Sequence, residues 1–439
     1  MKLLKTFLRG ALLFLVLAVF LAAWIFLPWP ALLGAAVLFV LWMAFTRSGR
    51  QAASVTQVGV STLAQRLGAS SVVVIGIAGV VGVLVALLAM AEGYRQTVSA
   101  AGNDETAIVL RGGSAAELMS VLSRDQINAI ERAPEIARDK DGRPMASAEL
   151  VVAANLPRTG GKDDGSVTLR GVGDMAWTVR PNLKLVEGRR FEPGRRELVV
   201  GKGARKQFQG LDVGKQVRLG NQTWSVVGVF ESGDGMESEM WADAEIVATT
   251  YRRGSSRASV FAQLTGAKAF NAFQATLKAD PRLQVEADTT RGYFGKQSEG
   301  LTKVLRVIGI IVGSIMAIGA IFGALNTMFA TVAARAREIA TLRAIGFRGM
   351  PVVVAVMLET MLLAALGGAL GGLLAWLVFN GYTASTLAGG VAQLSFEFKV
   401  TPTLLWEGLK WALAIGFIGG LFPALRASTL PVTDALRAA

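Results

Sequence analysis

Residues 70–91 read SSVVVIGIAGVVGVLVALLAMA and contain no charged side chain. A helix that crosses the hydrocarbon core of a bilayer needs about 20 predominantly apolar residues. This run therefore predicts a membrane-spanning helix, which sets the class of fold for the chain. The composition agrees, because 52% of the 439 residues are hydrophobic and the mean hydropathy is +0.46.

Further apolar runs lie on both sides of residues 70–91. Three follow along the chain, and together they predict a four-helix core at residues 70–91, 301–330, 351–380 and 404–425. Two shorter runs precede it, at residues 11–27 and 31–45, on either side of Pro28-Trp29-Pro30. We interpret these as an additional N-terminal transmembrane hairpin within residues 1–46, with a cleaved signal peptide as the alternative. The sequence thus predicts an α-helical membrane protein with six spans.

The basic residues predict the orientation of these spans. Twelve Lys and Arg but only two acidic residues flank the spans on one side, which is the bias of cytoplasmic segments. We expect a multi-pass protein of the bacterial inner membrane, with both termini in the cytoplasm. The other predicted cytoplasmic parts are an amphipathic segment at 47–69, a segment at 331–350 and the tail at 426–439. The predicted periplasmic parts are a large domain at 92–300 and a short loop at 381–403.

The composition excludes several kinds of chemistry. The chain contains no Cys and no His, which rules out disulfides, Cys/His metal sites and His-dependent catalytic triads. Its net charge of +13 is concentrated near the spans, since residues 92–300 carry 29 basic and 27 acidic residues, and this argues against nucleic-acid binding. Gly201-Lys202 and Gly214-Lys215 lack the remainder of a phosphate-binding loop. We therefore expect no enzyme, and no catalytic, cofactor or metal site in this chain.

Residues 92–300 predict a large α+β domain that can bury a core of its own. Patterns of strand, helix and strand stand at both ends of this segment, with a β-rich stretch between them. Ser123 and Gln126 have the spacing of a capping box at the start of a helix. Gly220-Asn221 separates two alternating runs and predicts a β-hairpin.

Residues 331–350 predict a short amphipathic helix on the cytoplasmic side. Apolar residues recur there every three or four positions, at Val332, Ala336, Ile339, Leu342 and Ile345. Gly346 has the position of a C′ glycine that ends the helix, and Arg335 and Glu338 have the spacing of an ion pair. Two interpretations are open. The helix lies on lipid headgroups, or it docks into a groove of another protein.

The predicted spans hold few ionisable residues. Glu359 lies within the fifth span, and an acidic residue in a span is a functional candidate by default. With no complementary relay of acids, we expect Glu359 to pair with a polar group or a helix end. Small residues at four-residue spacing predict close helix packing, within the chain or across a dimer. These pairs are Gly309/Gly313, Gly319/Gly323 and Gly367/Gly371.

Several motifs resemble one family of membrane proteins. Residues 337–346 (REIATLRAIG) resemble the signature of FtsX-like permeases, the membrane subunits of MacB-type ABC transporters. Residues 422–428 (FPALRAS) and 431–437 (PVTDALR) are similar to the closing motif of that family, with one additional residue at Asp434. Residues 187–191 (EGRRF) and 211–217 (LDVGKQV) are similar to its periplasmic core domain. The resemblance covers about residues 55–439, so the N-terminal hairpin lies outside it.

The resemblance implies a permease dimer, homo- or heteromeric, that transmits ATP-driven motion mechanically to the periplasm. A separate ABC ATPase subunit would bind ATP and Mg, and its groove would take the coupling helix at 331–346. A periplasmic adaptor and an outer-membrane duct are the further implied partners, beside membrane lipids, and export is the implied function. In the coupling helix Ile339 and Ile345 would be apolar anchors and Arg337, Glu338 and Arg343 polar contacts. The implied coupling residues are Arg335, Arg337, Glu338, Ile339, Leu342, Arg343, Ile345 and Gly346.

Two alternatives lie within the same family: a lipoprotein-extracting permease, and an FtsX-like regulator of a cell-wall hydrolase. Such regulators usually have a much smaller outer domain, so the length of 92–300 favours transport. A receptor or sensor without an ATPase fits the outer domain, but it does not explain the helix at 331–346.

Overall fold

The computed structural model describes residue 24 and residues 28–61, 63–160, 163–388 and 392–429. It divides into two compact units. The helical unit comprises Met1–Met90, Leu305–Asn380 and Lys399–Ala439, and the α+β unit comprises Ala91–Val304 and Gly381–Phe398. The first arm of the predicted N-terminal hairpin, residues 11–27, lies outside the described residues except for Trp24.

The described chain contains both long apolar helices and short ones. In chain order they are α1 (Trp29–Phe45), α2 (Arg47–Ser61), α3 (Leu67–Ala100), α4 (Arg124–Glu131), α5 (Met175–Val179), α6 (Lys202–Gln207), α7 (Ala244–Thr250), α8 (Phe270–Ala279), α9 (Thr290–Ala334), α10 (Ala336–Ala344), α11 (Gly349–Phe379) and α12 (Pro402–Thr429). Among the described residues, four of them are long and apolar enough to cross a membrane, namely α3, α9, α11 and α12. These four are the predicted core spans. Helix α1 is apolar but has only 17 residues, so the count of six spans is not confirmed.

The spans α3 and α9 are longer than a bilayer requires. Helix α3 has 34 residues and α9 has 45, which correspond to about 51 Å and about 68 Å at 1.5 Å per residue. The hydrocarbon core is about 30 Å thick. The boundaries between the two units fall within these helices, after Met90 in α3 and after Val304 in α9.

Glycines allow α3 and α11 to approach closely within the helical unit. A Cβ atom on Gly371 would overlap the carbonyl oxygen of Ala78, and one on Gly367 would lie 2.8 Å from the carbonyl oxygen of Val74. The predicted small-residue packing at Gly367/Gly371 is therefore a contact within the chain. Gly319, in α9, has no neighbouring atom within 4 Å of a built Cβ among the described residues.

The strands of the α+β unit are β1 (Thr106–Arg111), β2 (Ala146–Pro157), β3 (Asp164–Val172), β4 (Lys184–Gly188), β5 (Glu197–Gly201), β6 (Gln216–Leu219), β7 (Gln222–Glu231), β8 (Glu239–Asp243), β9 (Ser259–Gln263), β10 (Val285–Thr289), β11 (Thr383–Ala388) and β12 (Ala392–Glu397). In the described chain the first ten form one sheet in the order β10-β1-β9-β2-β3-β8-β5-β7-β4, with β6 paired to β7.

The two predicted strand-helix-strand patterns lie together at one end of this sheet and form a first lobe. Strands β1 and β2 enclose α4, strands β9 and β10 enclose α8, and all neighbouring pairs in the order β10-β1-β9-β2 are antiparallel. This is the interleaved arrangement of a split β-α-β fold. The predicted capping box is confirmed, because Ser123 and Gln126 exchange side-chain and backbone hydrogen bonds at the start of α4.

The remaining strands form a second lobe with its own apolar core around Trp224 and Phe208. Strand β2 has 12 residues and joins the lobes, since Ala146–Glu149 pair with β9 and Leu150–Pro157 pair with β3. The predicted hairpin at Gly220-Asn221 is confirmed. Both residues have positive φ, of 53° and 62°, as a tight turn between β6 and β7 requires.

The segment between α11 and α12 differs from the prediction of a simple loop at 381–403. Strands β11 and β12 pair there as an antiparallel hairpin, from Thr383 opposite Glu397 to Ala388 opposite Ala392. The hairpin belongs to the α+β unit, where the amide of Ser395 donates to the hydroxyl of Ser238. The sequence contains Gly389-Gly390, a dipeptide typical of hairpin turns, and the prediction of a loop did not take it into account.

Candidate functional site

The predicted coupling helix is shorter in the structure than in the sequence analysis. Helix α9 continues through Ala334, the chain bends at Arg335, and α10 begins at Ala336. Arg335 has φ −99° and ψ 9°, although its amide still donates to the carbonyl oxygen of Thr331. Residues 331–334 therefore end a span, and the coupling helix proper is the nine-residue α10.

Gly346 ends α10 as predicted. Its φ of +102° is in the left-handed region, which glycine adopts without strain. The amide of Gly346 donates to the carbonyl oxygen of Arg343, and the amide of Phe347 donates to that of Leu342. This pair of bonds is a Schellman motif, which satisfies the last carbonyl groups of the helix and turns the chain toward α11.

The apolar face of α10 packs on the protein's own helices. Ile339 is 5% exposed and lies in a cluster with residues of α9, α11 and α12, among them Val332, Val352 and Ala424. The structure thus corrects one detail of the sequence analysis, since Ile339 is buried by its own chain and is not exposed to a partner. Periodicity identified the apolar face but not the surface that covers it.

The other face of α10 is exposed. Arg337, Glu338, Thr341 and Ala344 lie on it, and Ile345 follows directly with 69% of its surface exposed. Leu342 and Arg343 are half-buried between the two faces. Of the two apolar anchors predicted, Ile345 alone is available for contact with another protein. The charged residues nearest to it in the sequence are Arg343 and Arg348.

Glu359 pairs with Arg335 in the interior of the helical unit. The Nη1 of Arg335 donates to Oε2 of Glu359 at 2.8 Å, and the two side chains are 8% and 4% exposed. The Nε of Arg335 also donates to Oε2 of Glu338 at 3.1 Å, and Arg66 approaches Glu338 at 3.7 Å. Charges buried this deeply are stable only when paired, so each side chain fixes the position of the other.

Helix α2 covers this ion pair. A Cβ atom on Gly59 would lie 3.2 Å from Oε2 of Glu359 and 3.5 Å from both terminal nitrogens of Arg335. A cavity of about 330 Å³ lies beside the pair between α2, α10 and α11, and its walls include Val55, Leu342 and Val356. The amphipathic segment predicted at 47–69 is therefore part of the same site.

A second cluster of buried charges joins the two lobes of the α+β unit, and the sequence analysis did not find it. Arg170 in β3 is 3% exposed and bonds three carboxylates. Its Nη1 lies 2.8 Å from Glu117 and 2.9 Å from Glu149, and its Nε lies 2.7 Å from Glu239. Arg180 bonds Glu149 from the other side at 2.6 Å. The five residues lie far apart in the sequence and form no motif, so only the fold reveals them.

This arginine cluster controls the pKa of Glu117. Burial alone raises the pKa of Glu117, but the charge and hydrogen bonds of Arg170, with the hydroxyl of Ser259, lower it further and hold it below its usual range. Burial also raises the pKa of the Tyr293 phenol, whose oxygen accepts a hydrogen bond from the Glu117 amide. Tyr293 is in the first turn of α9, so the cluster connects this helix to both lobes. Among the described residues no group of carboxylates is placed to hold a metal ion.

Fold and sequence comparison together define the class of protein. Four long apolar helices, with an α+β unit inserted between the first two and a short helix at a bend between the second and third, are the features of a membrane permease. The family model described as the MacB-like periplasmic core domain matches residues 70–280, and that of the FtsX-like permease C-terminal region matches residues 310–432. Together they cover about three quarters of the chain. The chain belongs to the FtsX-like permeases of the MacB type, which are ABC transporter permeases.

Individual relatives are distant. The pyoverdine export ATP-binding/permease protein PvdT of Pseudomonas aeruginosa is 26% identical over 390 residues, which are 83% of this chain and 55% of the relative. The uncharacterized ABC transporter permease YknZ of Bacillus subtilis is 24% identical over 294 residues, 63% of this chain and 71% of the relative. This chain thus spans just over half the length of PvdT. The crystal structure of the periplasmic region of MacB from Actinobacillus actinomycetemcomitans matches with a TM-score of 0.34 at 15% identity, over 45% of this chain and 94% of that one.

Proposed function

We propose that this chain is the permease subunit of a MacB-type ABC transporter and that it performs no chemistry itself. A separate ATPase subunit binds ATP and Mg and docks on the exposed face of α10. Its closure moves α10, and the spans carry that motion to the α+β unit. The proposal places α10 in the cytoplasm and the α+β unit in the periplasm of the bacterial inner membrane, in a dimer of permease subunits.

One observation carries the proposal. Helix α10 is a short helix between two membrane-length helices; its inner face is packed and capped, and its outer face is uncovered. A helix that merely floats on lipid presents its apolar face to the bilayer. Here the apolar face of α10 is already packed on the protein's own helices. Its exposed face carries Arg337 and Glu338, and the exposed apolar residue Ile345 follows the helix directly. Exposed charged and apolar side chains together are typical of a protein interface.

Export is the function we favour over lipoprotein extraction and hydrolase regulation. The name of PvdT describes export of pyoverdine by a protein with ATP-binding and permease parts, and this chain matches it over 83% of its own length. The periplasmic partner in this proposal is an adaptor that leads to an outer-membrane duct.

Co-purification tests the docking step. The tagged full-length chain is purified from native membranes, and bound ABC ATPases are identified by mass spectrometry and by ATP turnover. We expect Ile345→Asp to lose the ATPase, because a desolvated charge without a partner opposes docking. Met119→Asp is the matched control, since Met119 is 66% exposed in the α+β unit, close to the 69% of Ile345. If both variants retain the ATPase equally, α10 is not the docking site.

The periplasmic partner decides between the family alternatives. Cross-linking from the α+β unit in intact cells should capture an adaptor protein. Capture of a cell-wall hydrolase in its place would support the regulator, and capture of a lipoprotein carrier would support extraction.

A further inference from the structure

Helix α10 is too short to determine its own direction. Its nine residues are about two and a half turns, and isolated helices of this length are unstable in water. Its orientation must therefore come from contacts with neighbouring helices. The apolar contact of Ile339 is not directional, whereas a hydrogen-bonded ion pair fixes both distance and angle.

Arg335 provides such a contact at the bend. Because it lies between α9 and α10, its backbone belongs to the corner itself, while its guanidinium bonds Glu338 of α10 and Glu359 of α11. One side chain thus ties three helices together. Both side chains of the pair are buried. Separating them would leave two buried charges unpaired, which costs free energy.

Helix α2 packs against the pair beside the cavity. Gly59 lies against both charged groups, and any larger residue would press on them. Helix α2 precedes the first core span, so the segment before the core takes part in the site as a cover for the ion pair.

We propose that Arg335 and Glu359 are positioning residues of the coupling helix. They fix the angle at which α10 meets the spans and carry a displacement of α10 to α11, and Gly59 lets α2 pack directly against the pair. This inference rests on the proposed function, in which an ATPase displaces α10. It names Arg335 and Glu359 as the residues that transmit this displacement to the spans.

The experiment separates binding from coupling. Full-length permease with its co-purified ATPase is placed in lipid nanodiscs, and ATPase binding and the dependence of ATP turnover on the permease are both measured. We expect Glu359→Gln to bind the ATPase normally but to reduce the permease-dependent part of turnover by about fivefold or more, as for the loss of an ordinary allosteric coupling. The exchange of charges in Arg335→Glu with Glu359→Arg should restore at least part of it. A purely structural role predicts loss of binding and no recovery.

Two glycine variants test the contact between α2 and the ion pair without changing any charge. Gly59→Val should show the same loss of coupling. Gly68→Val is the matched control, because a Cβ on Gly68, at the start of α3, meets no atom within 4 Å in the described chain. Equal coupling in the two variants would overturn the role of α2.

A spin label tests the inference independently of any ATPase. The chain has no native cysteine, so Ala344→Cys, at the exposed end of α10, gives a single labelling site. The label should become more mobile in Glu359→Gln and Gly59→Val, but not in Gly68→Val. If the wild-type chain binds no ATPase, the proposed function fails while this measurement still decides the role of the ion pair. Unchanged mobility together with unchanged turnover in Glu359→Gln would overturn the inference.

Discussion

Removal of the Arg170 guanidinium should destabilise the α+β unit strongly and in a pH-dependent way. Arg170→Met keeps a long apolar stem but removes five hydrogen bonds to three carboxylates. Glu149 keeps its hydrogen bonds from Arg180. Glu117 keeps a hydrogen bond from the hydroxyl of Ser259 and the more distant charge of Arg180, and Glu239 keeps a hydrogen bond from the indole of Trp241. Removing one partner of a buried ion pair lowers the free energy of unfolding by about 3–5 kcal/mol, because the remaining charge is buried without a partner.

The pH dependence follows from the direction of the pKa shift of Glu117. In the wild-type protein the folded-state pKa lies below the usual value of 4.5, so its contribution to stability is present at neutral pH and is lost as the pH falls through the folded-state pKa. In Arg170→Met burial dominates, and the pKa of Glu117 should rise above 4.5. At neutral pH the ionised carboxylate of Glu117 is buried in the variant without Arg170, and it destabilises the fold most there. Once protonated, the same group destabilises the fold least. We expect the stability difference between variant and wild type to shrink from pH 7.5 to pH 4.5.

Thermal unfolding of the full-length chain in detergent, followed by tryptophan fluorescence at several pH values, measures this effect. For a unit of this size each kcal/mol corresponds to about 2–4 °C, so the midpoint should fall by roughly 6–20 °C at pH 7.5. Arg282→Met is the control, because its ion pair with Asp280 is on the surface, with Arg282 85% exposed, and pairs of this kind contribute little. A variant midpoint within 2 °C of wild type at pH 7.5, or a deficit that does not change with pH, would refute this reasoning.

Three further predictions concern the helical unit and its orientation. Gly371→Val should prevent stable insertion, because its side chain would overlap the backbone of α3, whereas Gly319→Val should insert normally; loss of dimerisation by the latter in native gels would place α9 at a dimer interface. A cysteine at Ser255 should react with an impermeant maleimide in cells whose outer membrane is permeabilised, and one at Ser54 should not; the reverse pattern would invert the proposed topology. Deletion of residues 1–46 should leave ATPase co-purification unchanged, because α2 remains; loss of the ATPase from a normally inserted protein would contradict this.

The elements that sequence predicted well are those whose signals are local. The core spans follow from the length and hydropathy of single segments, and the capping box at Ser123 and the turn at Asn221 follow from adjacent residues. Gly346 was recognised for the same reason, since a helix end with positive φ strongly favours glycine.

The parts that sequence did not predict depend on distant contacts. The apolar spacing around Ile339 is the same whether a partner or the protein's own spans cover it, so periodicity could not decide between them. Glu359 was recognised as a candidate because a charge in a span is rare, but its partner Arg335 lies 24 residues away in another helix. Arg170 had no signal at all, since one arginine among many in a polar domain is unremarkable until strand pairing places it in the interior.

The pairing of β1 with β10 has a consequence for biosynthesis. Ala107 lies opposite Thr289, about 180 residues later in the chain, and its other neighbour, β9, also comes from the far end of the unit. Chains are synthesised at about 5–20 residues per second, so β1 waits roughly 10–40 seconds before its last partner strand exists. During that time it is an unpaired, largely apolar strand already tethered to the membrane by α3. Such a strand readily pairs with other chains, so newly made protein should depend on chaperones on that side of the membrane for its yield.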